Sequence, residues 1–154
     1  MSLFEDNLKK YYHMVLPSAP PPGGSYVPVK KSGHLLFIAG QTAKKDGKLI
    51  YKGKVGKDLN IDQARESAIV AVLNCISQIK AYLGNLDDVN QVIQLIGFVQ
   101  SSEGFNQQPQ VIDAASEMLI QCFGESGKHT RLALGTNELP GGSPVEITMT
   151  LEIK

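Results

Sequence analysis

The segment HTRLALGTNELPGGSPVEITMTLEI, residues 129–153, holds two apolar runs separated by a Leu-Pro-Gly-Gly-Ser turn at 139–143. In the second run Val145, Ile147, Met149, Leu151 and Ile153 alternate with Glu146, Thr148, Thr150 and Glu152. That period of two belongs to a strand with one buried face. In the first run Leu132 and Leu134 alternate with Arg131, Ala133 and Gly135. A hairpin that brings like faces together pairs Leu134 with Ile147 and Ala133 with Thr148. Arg131 and Glu146 then share a face but stand roughly 13 Å apart along the strands, at ~3.3 Å per residue. The arginine has two readings. On a solvated face it reaches Glu152 diagonally, a surface pair of little energetic consequence. Alternatively, the small Ala133 and Gly135 leave a hollow in which its guanidinium forks a small carboxylate, and a Glu146 serving the same ligand comes from a neighbouring subunit.

Working outward, residues 109–123 read as a helix with Pro109 in its first turn. VNQVIQLIGFVQ, 89–100, is rich in Val, Ile and Phe and reads as a central strand in which Gly97 marks a bend or a close approach. The strongest helix is NIDQARESAIVAVLNCISQIKAYLG. Ala68, Val72, Cys75, Ile76, Ile79 and Leu83 repeat on one face, Asn60 with Gln63 forms a capping box, and Gly84 supplies the stop. Before it, HLLFIAGQ (34–41) is a strand, and DGKL turns the chain back into residues 49–52 as a first hairpin. Five of the eight prolines fall between Pro17 and Pro28, so that stretch is irregular. Residues 3–15 have the spacing of a short amphipathic helix. The order β-β-α-β-α-β-β predicts an α+β domain with both helices on one face of a sheet. The organisation is an accessory helix at 1–16 and one domain at 17–154.

Bulk properties narrow the function classes. The chain has 154 residues, 42% of them hydrophobic, enough for one core. Fifteen Lys and Arg balance fifteen Asp and Glu, which gives no support for electrostatic capture of nucleic acid. No apolar run approaches membrane-spanning length, the N-terminus lacks secretory-signal character, and a cytoplasmic location is expected. Cys75 and Cys122 read as buried hydrophobes in a reducing compartment. His13 and His34 have no metal ligand at suitable spacing, and neither a metal nor a cofactor is expected. His129 is a candidate proton carrier or, more simply, a turn residue. GKVGKDL lacks phosphate-loop spacing and reads as a solvated turn.

The segments SYVPV, LLFIAGQ, GNLDDVNQVIQLIGFV and HTRLALGTNELPGGSPVEI, taken in order, resemble the YjgF-like reactive intermediate deaminase (Rid) family, also called the endoribonuclease L-PSP family, from about Pro17 onward. The extra N-terminal length matches its longer members. The resemblance implies a chorismate-mutase-like α+β fold of the bacillary type, assembled as a homotrimer with ligand clefts between subunits. It implies a hydrolase of the 2-iminobutanoate/2-iminopropanoate deaminase type, which converts 2-imino acids to 2-oxo acids and ammonia. By position, Arg131 matches the arginine that forks the substrate carboxylate, and Glu146 the glutamate that orients water. Tyr26 matches a tyrosine lining the cleft, and Gly40 a glycine whose backbone approaches the ligand. Ala39 stands where deaminase-type relatives often carry serine, and Ala133 where they carry cysteine. Imine hydrolysis needs no covalent nucleophile, because a protonated imine carbon is already electrophilic. The alternatives are a non-catalytic module binding a small carboxylate on the same trimer and, with less support, an endoribonuclease or translation inhibitor.

Overall fold

The computed structural model describes all 154 residues. Helix α1 (Leu3–Tyr12) is followed by strands β1 (Val29–Ser32) and β2 (Leu35–Thr42), and a two-stranded ribbon, β3 (Lys44–Lys45) and β4 (Lys48–Leu49). Helix α2 (Ile61–Leu83), strand β5 (Val89–Gln100), helix α3 (Gln108–Phe123), and strands β6 (Thr130–Thr136) and β7 (Val145–Ile153) complete the chain. Five strands form one sheet in the order β1-β2-β7-β5-β6, with α2 and α3 on one of its faces. The α+β class and the β-β-α-β-α-β-β order are therefore as the sequence predicts.

Local chemistry explains the two long helices. Asn60 accepts from the Gln63 amide, and the Gln63 side chain accepts from the Asn60 amide, so the first turn of α2 is satisfied reciprocally. Pro109 lies in the first turn of α3, where its missing N–H has no intrahelical partner to lose. Gly97 is a close approach rather than a bend: a Cβ built there would stand 2.5 Å from Ile112 Cδ1, so α3 packs onto β5 only because the side chain is absent. α1 adds Phe4 and Leu8 to the same hydrophobic core, Phe4 meeting the Phe123 ring with centroids 4.7 Å apart.

Two expected pairings are overturned. β6 and β7 are not a hairpin. β5 lies between them, parallel to β6 and antiparallel to β7, so Gly97 faces Ala133 on one side and Ile147 on the other. The residues between β6 and β7 outnumber those of a tight hairpin loop, and they carry the chain across the end of β5. Gln100, the last residue of β5, holds that crossing. Its Oε1 accepts from the Leu139 amide at 2.7 Å and its Nε2 donates to the Gly53 carbonyl at 2.9 Å. The first hairpin also differs, because the hairpin partner of β2 is β1, through the turn at Gly33. Asp46 and Gly47 do turn the chain, both with positive φ, but they close the separate β3–β4 ribbon.

The new topology reverses the facing of β6. Arg131 and Ala133 lie on the helix side, in register with the buried Leu95 and Met149 and with Gly97 and Ile147. Leu132 and Leu134 are on the open side, 47% and 44% exposed. The assumption that leucines mark the core face failed here because β6 is the outermost strand of the sheet. Arg131 and Glu146 consequently occupy opposite faces. At ~3.3 Å per residue and ~4.8 Å per strand their backbones stand roughly 14 Å apart.

Candidate active site

Glu146 lies at the start of β7, alternating with the fully buried Val145 and Ile147. It lines a hollow of about 390 Å³ together with Pro20–Gly23, Tyr26, Gly40–Thr42, Lys44, Asn74 and Pro140. Sequence and packing combine to build this hollow. The β2–β7 ladder slips between Ile38 and Gln41, placing Gly40 against the glutamate. A Cβ at Gly40 would stand 3.1 Å from Glu146 Cδ, so the glycine gives the carboxylate its room. Tyr26 bounds the other side, its hydroxyl accepting from the Gly23 amide at 3.0 Å. The Glu146 carboxyl makes no hydrogen bond within the subunit, and burial pushes its pKa up from the ordinary carboxylate value. A half-buried carboxyl without a partner is suited to exchanging a proton with water or a ligand.

The wall of the hollow rests on polar residues of α2 that the sequence reading did not single out. Asn74 donates to the carbonyls of Thr42 (3.0 Å) and Lys44 (2.9 Å). Ser77 donates to the Pro17 carbonyl at 2.7 Å and Gln78 to the Pro20 carbonyl at 2.6 Å. These bonds hold the proline-rich segment against the helix. The signal was present: Asn, Ser and Gln interrupt the apolar face of α2, and a buried polar side chain needs a partner.

Arg131 occupies a second place, on the helix-facing side of the outermost strand. Its Nη1 donates to Asp113 Oδ1 at 2.5 Å and to Ser116 Oγ at 3.3 Å, both residues belonging to α3. Its predicted diagonal partner Glu152 instead meets Asn90 and Gln91. Ser116 Oγ is 2.9 Å from His129 Nε2, and His129 Nδ1 is 2.7 Å from the Gly127 carbonyl. A carbonyl only accepts, so Nδ1 carries a proton and donates it to Gly127, leaving Nε2 to pair with the Ser116 hydroxyl. His129 is thereby part of a chain that ends on Arg131, a role beyond a turn. Ala133 is partly buried against the core beside this network and does not line the Glu146 hollow. Ala39 does not line the hollow either; it precedes Gly40, and its carbonyl accepts from the lining residue Gln41 at 3.1 Å.

Burial raises the thiol pKa of Cys75, and that of Cys122 to about 11, so both remain protonated near neutrality. No group of three or more His, Cys, Asp or Glu side chains is placed to hold a metal ion, and no helix is long and apolar enough to cross a membrane.

The α+β fold that carries these two regions is the one shared with YjgF-type proteins. The sequence pattern described as "YjgF/chorismate mutase-like, putative endoribonuclease" matches residues 12–151, and the chain belongs to that family. It is 37% identical to Protein TCP17 of Trypanosoma cruzi over 139 residues, covering 90% of this chain and 87% of that protein. The crystal structure of the protein Atu1372 from Agrobacterium tumefaciens matches with a TM-score of 0.93 and 37% identity, over 99% of this chain and 93% of that one. A "putative endoribonuclease" from Shewanella oneidensis MR-1 matches with a TM-score of 0.93 and 29% identity, over 97% and 99% of the two chains.

Proposed function

We propose that this chain is a subunit of a cytoplasmic homotrimeric imine/enamine deaminase that hydrolyses 2-imino acids to 2-oxo acids and ammonia in clefts between subunits. The observation that carries the reading is the unpartnered, half-buried Glu146 in its hollow. Glu146 positions and deprotonates the attacking water. The water oxygen bonds to the imine carbon, the carbon–nitrogen bond breaks, and nitrogen leaves as ammonia after taking up protons from the water and the glutamic acid. Arg131 of the adjoining subunit binds the substrate carboxylate, with Tyr26 and Gly40 shaping the hollow opposite. The opposite facing of Arg131 and Glu146 within one chain supports a shared cleft, since one subunit does not present both to one small ligand. Assembly is further supported by the open sheet face, where Ile96, Phe98, Leu132 and Leu134 are in register and uncovered by any helix.

A second reading has its own observation. Ala39 and Ala133 present methyl groups where a hydroxyl and a thiol would add polar contacts, which favours a module that binds a small carboxylate without turning it over. An endoribonuclease or translation inhibitor has less support, because the balanced charge gives no attraction for a phosphate backbone. The test is release of ammonia and oxo acid from an imino acid generated in the assay, with uncatalysed hydrolysis subtracted. Turnover supports the deaminase; thermal stabilisation by oxo acids without turnover supports the binding module. Light scattering tests the trimer, and a mass near the 16.7 kDa of one chain would remove the shared cleft.

A further inference from the structure

The Arg131 network contains a group that carboxylate binding alone does not explain. Asp113 is a carboxylate on the arginine meant for a ligand carboxylate, and its side chain is 45% exposed. A plain anion arriving at Arg131 meets this negative charge and is repelled by it. The pair is also only half used. Arg131 donates to Asp113 through Nη1 alone, leaving Nε and Nη2 without a hydrogen-bond partner in the subunit. On the other side, only Oδ1 of Asp113 is engaged. The free nitrogens of the guanidinium and the free oxygen of the carboxylate therefore belong to two groups joined by a single ion pair, one able to take an anion and the other a cation.

We infer that Asp113 is a specificity-determining residue that makes the Arg131 site select zwitterions, a carboxylate on the arginine and a cationic nitrogen on Asp113 Oδ2. This rests on the reading of Arg131 as the carboxylate clamp. A protonated 2-imino acid carries both charges on adjacent carbons and fits the pair. A 2-oxo acid carries only the anion and is disfavoured by Asp113. The same residue that admits the substrate thus favours departure of the product, because hydrolysis removes the cation. Ser116 keeps the arginine in place from the other side, its hydroxyl committed to His129 and its oxygen accepting from Nη1.

The experiment is calorimetric titration of the assembled protein with two probes of similar size, L-alanine as zwitterion and pyruvate as plain anion, for the wild type and for Asp113→Asn, Asp113→Glu and Arg131→Lys. Asp113→Asn should shift the affinity ratio toward pyruvate by about tenfold or more, as expected for a charged hydrogen bond. Asp113→Glu should shift it less, and Arg131→Lys should weaken both probes together. In steady state, Asp113→Asn should lower kcat/KM for a 2-imino acid, with a raised KM. An unchanged ratio in an Asp113→Asn protein of native mass and melting temperature overturns the inference alone. So does a wild type that binds pyruvate but not L-alanine. A wild type that binds neither probe and hydrolyses no imino acid overturns the deaminase reading along with it.

Discussion

The Glu146 hollow and the Arg131 edge are built from the same sheet by different means. The hollow is shaped within one subunit: the β2 slip, the Gly40 clearance and the proline segment clamped by Asn74, Ser77 and Gln78 all come from this chain. The Arg131 edge is open, held by α3 on one side and by nothing on the other. A carboxyl without a hydrogen bond sits in the hollow, and a cation with one internal anion at the edge. The difference teaches that each region holds what the other lacks, which is the condition for a site completed by a second copy.

The sharpest way to break the comparison is Glu146→Gln. Turnover of imino acids should fall by about 100-fold or more, in the range removed with a general acid–base group. Stability should move the other way. The Glu146 pKa is raised in the folded state, so its contribution is fully present below the unfolded carboxylate pKa of about 4.3 and is lost as pH rises through the folded value. The Gln variant should therefore melt higher than wild type at pH 7 and equal to it at acid pH. Melting curves that coincide at all pH values would mean that the hollow is open to water.

Next in size is Gly127→Ala, which tests how the open region is positioned. A Cβ there would stand 2.1 Å from the Leu119 carbonyl oxygen, backbone that cannot swing aside. A loss near the upper end of ~1–3 kcal/mol is expected by chemical denaturation, with the Arg131 network disordered before the hollow. Hydrogen exchange should show faster opening of β6 than of β7; equal acceleration would deny the two regions their independence.

Arg131→Lys sharpens the comparison at the ligand. Lysine keeps the charge and loses the fork, so affinity for a small oxo acid should fall by about 1.5–3 kcal/mol. Melting should change by less than ~1 kcal/mol equivalent, because the pair with Asp113 is partly exposed. Unchanged affinity would return Arg131 to a purely structural pair with α3.

The smallest effect is expected from Ala39→Ser and Ala133→Cys. Ala39 is only half-buried beside Gly40, and its hydroxyl variant should be tolerated; Ala133 is partly buried against the core, and the added sulfur should cost up to ~1 kcal/mol. If the wild type is weakly active, the double variant should turn over imino acids faster at unchanged oligomer mass. A wild type already as fast as an authentic deaminase would make both alanines neutral and remove the binding-module reading.

What the sequence by itself determined was local. The capping box at Asn60 and Gln63, the Pro109 start of α3, the Asp46-Gly47 turn and the alternation of β7 are written in contacts a few residues apart, and all appear as read. The α+β class followed from their order. Gly97 was legible only as a bend or a close approach, and the packing of Ile112 against it decided for the close approach. What only the tertiary structure decided was which strands are neighbours. β6 and β7 follow each other in the chain and look like a hairpin, yet β5 enters between them from earlier in the sequence and reverses the facing of Arg131. Alternation reports that a strand has two faces and leaves open which one meets the helices; on an outermost strand the leucines face the uncovered side. The partnership of Arg131 with Asp113, Ser116 and His129 was invisible for the same reason, because it depends on where α3 crosses the sheet rather than on any spacing along the chain.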